Sequence, residues 1–379
     1  MPSLPGVKLD LSEDQEFFRD TTRRFLEAES PLTSVRELFD TAHGFDPDWW
    51  RRAAELGWTA MFATEAVGGG PLSGDPASDT AIVAEEIGRM VAPGPFLPVN
   101  VVVAGLTMAG GEHAELVREL VAGQAVATWA LAEDGPRWDA TGLSTRVETH
   151  GDEVVVSGVK HQVEALAAAR YVLVTGRADE GLAQVLVPTD ATGVSVRHAR
   201  SLDFTRRFGI LRLDEVRLPR SALVAGPGDA TERVEQQLQI ALVMQCAETV
   251  GALDRVFSTT LEYMGDRYAF GRPIASYQAL KHRVADLLLQ LETAKGCVDA
   301  AAAAIADQRE DAAIEASVAK AYVGECSTRL IQECMQFLGG ISVTWEHDIH
   351  LYLRRVTVNR AVLGTPAQHR ERICSLMGL

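Results

Sequence analysis

The chain has 379 residues, 47% hydrophobic and 23% charged, which is enough apolar material for roughly two to three packed domains and excludes a disordered chain. Its 36 lysines and arginines against 52 aspartates and glutamates leave a formal charge of −16, which argues against a broad electrostatic grip on nucleic acid or an anionic membrane. A local basic patch for a phosphorylated ligand remains compatible with that balance.

Met1–Asp20 is acidic and carries no basic-then-apolar leader pattern, and apolar stretches such as Val101–Ala109 fall short of the roughly 18 residues that span a bilayer. The five cysteines are odd in number, form no C-x-x-C pair and sit in helical-looking sequence, so reduced thiols in a cytoplasmic protein are expected.

From Leu11 to about Val121 the apolar period is helical. Ser12 and Gln15 form a capping box ahead of Phe18, Thr22 and Phe25, Asp46-Pro47 caps a helix over Trp49–Leu56, and Gly68-Gly69-Gly70-Pro71 breaks the pattern before a helix at Ala77–Met90. From Ala125 to about Leu223 the period becomes two. β-Branched runs at Val154–Val156, Tyr171–Thr175 and Val185–Val187 are punctuated by turns at His150-Gly151-Asp152 and Asp190–Gly193. After Gly226-Pro227-Gly228 the helical period returns, and Leu280, Val284, Leu287, Leu291, Ala294 and Val298 mark one face of a long helix. The expectation is an α+β protein: an N-terminal helical domain (1–123), a middle β domain (124–225) and a C-terminal helical bundle (226–379), with no strand after residue 240.

Several familiar sites are excluded. Gly69-x4-Gly74 has phosphate-loop spacing, but Asp75 stands where the lysine belongs. His347 and His350 lack further ligands at zinc spacing, so no metal is expected, and there is no G-x-S-x-G elbow.

Two segments stand out. Arg267-Tyr268-Ala269-Phe270-Gly271-Arg272-Pro273-Ile274 is followed by Gln278; alone, it reads as a helix end with Gly271 at C′ and Pro273 as the stop. Gln336-Phe337-Leu338-Gly339-Gly340 runs on through Trp345 to Leu353-Arg354-Arg355; alone, its glycines read as a cap and Trp345 as core. Together, in this order, they resemble the C-terminal half of acyl-CoA dehydrogenases, which carry R-x-x-F-G-x-x-I with a later Gln, then Q-x-x-G-G, then a Leu-Arg helix. Leu202-Asp203-x-Thr205-Arg206 and the Gly68-Gly69 loop extend the resemblance over most of the chain.

The resemblance implies an N-terminal helical domain, a β domain and a C-terminal four-helix bundle that builds dimers and tetramers. It also implies FAD, its ring in one subunit and its diphosphate–adenosine tail reaching the neighbour, held at the positions of Arg267, Phe270, Gln278, Gln336, Gly339 and Gly340. The implied reaction removes the α proton of an acyl-CoA thioester by a Glu while the β hydride leaves to the flavin. In ungapped register that Glu falls on Leu363, followed by the matching Gly364-Thr365, and the alternative position on the preceding helix falls on Ala241. No catalytic base is therefore assigned. The family's ring-side elements are also changed, to Ala132-Glu133-Asp134 and Lys160-His161-Gln162-Val163-Glu164. Glu133, Glu164 and Glu248 are the carboxylates left as replacement bases, although an unpaired surface or capping role is expected of each.

The run Gly339–His347 and the ending Gly364–Arg372 resemble a bacterial branch of α2β2 enzymes, some acting on steroid side-chain thioesters, in which one subunit brings the ring pocket and base and the other mainly the diphosphate contacts. A homologous subunit carrying the base, or else a homo-oligomer, is the implied partner. A flavin monooxygenase of the same fold and a flavin-free scaffold subunit are the alternatives.

Overall fold

The computed structural model describes residues 11–135, 138–140, 142–226 and 228–379. Met1–Asp10 of the start and Pro227 of the expected Gly-Pro-Gly break lie outside them.

Six helices come first: α1 (Glu13–Glu29), α2 (Leu32–Glu37), α3 (Pro47–Glu55), α4 (Pro76–Met90), α5 (Phe96–Met108) and α6 (Ala114–Val121). The Ser12–Gln15 capping box starts α1, and Asp46 and Asp75 cap the Pro-led helices α3 and α4. Helix α1 buries Phe18, Thr22 and Leu26, so its inward stripe runs through Leu26 where Phe25 was expected, and Phe25 packs from the side against Trp49 and Trp58. Helix α5 has no polar face because it lies at the centre of the molecule, its turns from Pro98 to Leu106 buried throughout.

The strands are β1 (Ala127–Ala130), β2 (Arg146–His150), β3 (Glu153–Glu164), β4 (Tyr171–Ala178), β5 (Gly181–Pro188), β6 (Val194–Ala199), β7 (Phe208–Pro219) and β8 (Leu223–Ala225). They form one sheet in the order β6-β7-β3-β2-β4-β5-β8, with β1 also on β4; β1 and β2 run parallel to β4 and the other pairs are antiparallel. The expected Gly151-Asp152 turn joins β2 to β3, with His150 opposite Glu153 and Gly151 at φ +60°. Val154, Val156, Val172, Val174, Val185 and Val187 fill a core of the sheet's own.

Three long helices follow, α7 (Ala230–Asp266), α8 (Gln278–Ala306) and α9 (Ala312–Leu338), then α10 (Ile349–Ala361) and α11 (Pro366–Leu376) against α9. The expected stripe on α8 is inward: Leu287, Leu291, Ala294 and Val298 are buried, with Leu280 and Val284 at its margin. One expectation is corrected. Between α7 and α8 the chain makes a two-rung hairpin, β9 (Tyr268–Ala269) with β10 (Arg272–Pro273), so there are strands after residue 240. Helix α7 ends at Asp266 with Arg267 as its C-cap, and Gly271, at φ +82°, turns the hairpin and is not the helix's C′ residue. Among the described residues no helix is long and apolar enough to cross a membrane.

Helices α4 and α7 touch backbone to backbone. A Cβ built on Gly88 would lie 1.8 Å from the Glu248 carbonyl oxygen, and one on Gly251 1.8 Å from that of Glu85. Only glycine permits this crossing. Gly88→Ala or Gly251→Ala should therefore lower unfolding free energy by about 1–3 kcal/mol, the usual range for forced overpacking, measured by denaturant titration against Gly265→Ala, where the added Cβ meets nothing within 4 Å.

Candidate functional site

Gln278 opens α8 and Gln336 stands in the last turn of α9, and the two ends are held together: Arg283 pairs with Glu333 and lies 4.8 Å from the Phe337 ring centroid. The backbone N–H of Ile274 donates to Arg267 O at 2.8 Å, fastening the end of α7 to the same place. All six residues singled out in the sequence thus gather at one end of the bundle, and all six are exposed. Phe270 is 99% exposed and holds φ +53°, an uncommon conformation for an aromatic residue. Gly339, at φ +71°, closes α9 as the cap reading expected, and nothing stands within 4 Å of where a Cβ on Gly339 or Gly340 would be. Trp345, read as core, is 54% exposed and stacks on His350 at 4.7 Å.

The two positions where the resemblance puts a base carry Leu363 and Ala241. Leu363 is half-buried at φ +58°, in the turn between α10 and α11. Lys320 Nζ donates to Val362 O at 2.8 Å and to Asn359 O, and the His369 imidazole, with Nε2 2.8 Å from Leu363 O, closes the turn. A carbonyl only accepts, so Nε2 carries the proton, and burial pushes His369 down to about 4. Thr365 and Gln368 then form a capping box for α11. Ala241 is fully buried on α7.

The three remaining carboxylates are not the unpaired surface groups expected; each is locked in an ion pair, because these chain segments pack inward and a buried carboxylate needs a cation. Glu133 receives Lys160 Nζ at 2.8 Å, Ser144 N at 2.6 Å, Thr145 N at 2.9 Å and the Ser144 hydroxyl. Burial works to raise its pKa, but these donors outweigh that and bring it to about 2, while burial also takes Lys160 down to about 8. Glu164 lies 3.2 Å from Arg206. Burial leaves it above the ordinary carboxylate range even so. Glu248 is gripped by Arg206 at 2.7 Å, by Arg355, and by the Asn359 amide at 2.8 Å. Arg355, fully buried, also donates to Asp203 at 2.6 Å and to the Thr205 hydroxyl. Glu133 and Glu248, so engaged, are poor proton acceptors, whereas burial leaves Glu164 the most basic of the three with its Oε1 beside Arg206.

A cavity of about 1290 Å³ opens at the other end of the bundle. Val234, Leu238 and Ile240 of α7, Ala104 and Met108 of α5, Leu131 after β1, the β4–β5 hairpin and Ile305 of α8 line it. Ile240 is the neighbour of Ala241. At 1.5 Å per residue, the turns of α8 from Gln278 to Ile305 put about 40 Å between this cavity and the exposed cluster.

Residues 12–121 match the family described as acyl-CoA dehydrogenase, N-terminal domain, and residues 231–377 match acyl-CoA dehydrogenase, C-terminal domain. The chain belongs to the acyl-CoA dehydrogenase family. It is 28% identical over 364 residues to acyl-CoA dehydrogenase IpdE2 of Mycobacterium tuberculosis, covering 95% of this chain and 96% of that protein. Among solved structures it is similar to a variant of the Tcur3481-Tcur3483 steroid ACAD, with TM-score 0.88, 26% identity and coverage of 97% of this chain and 98% of that one. Butyryl-CoA dehydrogenase from Megasphaera elsdenii shares the fold at TM-score 0.89 and 19% identity, over 98% of this chain and 100% of that one. As in other acyl-CoA dehydrogenases, the helical N-terminal part, central sheet and C-terminal helices occur in that order.

The sequence did not reveal the buried charges as one unit. A signal was present: Glu248 interrupts the apolar run Ile240–Val250, and Lys320 the run Ala316–Val323.

Proposed function

We propose that this chain is the subunit of a heteromeric, FAD-dependent acyl-CoA dehydrogenase that contributes FAD diphosphate–adenosine contacts, while a homologous partner brings the ring pocket and the Glu base. The observation carrying this reading is that Leu363 and Ala241 fill both base positions while the exposed cluster, about 40 Å from the chain's own cavity, stays open to a neighbour. A cofactor tail held at that cluster belongs with a ring and a substrate in another chain.

The residues fit the tail. The Arg267 guanidinium is exposed and suits a diphosphate, and Gly339 and Gly340 leave backbone amides open to close approach. They do not fit the ring, because Glu164 and Lys160 of the ring-side strand are spent on Arg206 and Glu133. When bound, FAD accepts the hydride lost from the acyl group. The similarity to the Tcur3481-Tcur3483 steroid ACAD supports a two-protein assembly acting on a steroid substrate, for which we propose a side-chain thioester.

Arg267→Ala should reduce flavin occupancy of the assembly by one to two powers of ten in affinity, since losing a hydrogen bond to a charged group costs about 1.5–3 kcal/mol. Flavin-to-protein absorbance and melting temperature are read on the same sample. Lost thermal stability with unchanged flavin would mean that Arg267 merely caps α7. Absence of flavin from wild-type assemblies would leave the scaffold reading.

A further inference from the structure

We infer that the cavity of this chain takes an uncharged apolar molecule and turns away a coenzyme A thioester. Its inner walls are apolar, and its volume exceeds the roughly 300–1,000 Å³ of ordinary small-molecule pockets, so size excludes little. The rim decides. Asp179, Glu232 and Glu310 stand on it exposed, with no cation at ion-pair distance among the described residues. Two of its arginines are already neutralised: Arg372 pairs with Glu235 at 2.5 Å, and Arg309 with Asp311 at 2.5 Å and Glu315 at 3.7 Å. Among the described residues Arg177 is the rim cation without a carboxylate partner, and Asp179 lies two residues away.

A coenzyme A thioester must leave its multiply charged nucleotide at the mouth of any pocket that takes its acyl group. Here that mouth offers like charge, which repels a polyanion over about a Debye length, roughly 8–10 Å at physiological salt. A ketone or alcohol without phosphate meets no such barrier. Resting on the partner-subunit reading, this assigns the thioester to the partner's cavity and leaves this one to neutral ligands.

The test uses the purified full-length chain and the uncharged fluorophore N-phenyl-1-naphthylamine. Saturable binding is expected, displaced by 2-decanone, with octanoyl-CoA needing at least a hundredfold higher concentration. Glu232→Lys with Glu310→Lys, both exposed positions, should lower the octanoyl-CoA requirement at least tenfold and leave the ketone unchanged. Gln239→Trp, which puts an indole on the cavity wall and narrows it, should weaken the fluorophore and ketone together. The inference is overturned if octanoyl-CoA competes as well as the ketone, if the fluorophore does not saturate, if charge reversal moves both competitors alike, or if Gln239→Trp changes nothing. None of these readings involves flavin, so a failure here leaves the Arg267→Ala result standing, and the reverse also holds.

Discussion

Acyl-CoA added to this chain alone should leave flavin unbleached in a single turnover, and bleaching should appear once a homologous subunit carrying the Glu is co-expressed. Positions 363 and 241 hold Leu and Ala, and neither side chain accepts a proton. The turn that carries Leu363 is held in place by Lys320 and His369. Glu133 and Glu248 spend their oxygens on Lys160, Arg206 and Arg355, and Glu164 has one oxygen beside Arg206. General-base catalysis contributes roughly 10²–10⁴-fold, so a chain without one should fall below its assembled rate by that factor. Changing the partner's Glu to Gln should abolish the restored bleaching. Fast bleaching by the chain alone would overturn the partner reading, and oxygen consumption with a reductase and NAD(P)H would favour the monooxygenase.

Removing Arg355 should produce the largest loss of stability in the molecule. Its guanidinium is completely buried and joins Asp203, Glu248 and Thr205, which come from the β6–β7 loop and α7. Arg355→Met leaves Asp203 and Glu248 facing each other across a dry interior, and breaking a buried pair in this way costs about 3–5 kcal/mol. The control is Arg217→Ala, an exposed arginine whose pairs are worth at most about 1 kcal/mol. Acid supplies a second readout. Burial tends to raise Asp203, but Arg355 prevails and holds it below its ordinary value. A carboxyl depressed in the folded state contributes stability above its unfolded pKa of about 3.9 and loses it as pH falls through the folded value. The gap between wild type and Arg355→Met should accordingly narrow below about pH 3.9. A constant gap would mean that Asp203 is not the group responsible.

Periodicity and capping made the helix–strand–helix order readable, since Ser12, Asp46 and the Gly151-Asp152 turn act through residues near them in the chain. The family resemblance likewise singled out the six residues that gather at one end of the bundle and the Leu at position 363. What could not be read depends on distant partners. Nothing local pairs Glu164, Arg206, Glu248 and Arg355 with one another, and only folding brings β3, the β6–β7 loop, α7 and α10 together. Gly88 and Gly251 look like ordinary helix glycines until their helices cross. The hairpin at Tyr268–Pro273 was mistaken for a helix end because a tight turn and a C-cap draw on the same Gly and Pro.

The distance between the exposed cluster and the cavity bears on inheritance. If each end of this bundle serves a different polypeptide, a lesion at Arg267 would be scored as an enzyme deficiency of the partner, although every codon of the partner's gene is intact. Extra copies of the partner's gene should not rescue such an allele, whereas one intact copy of this chain's gene should. Alleles that alter only the cavity rim should leave that phenotype untouched.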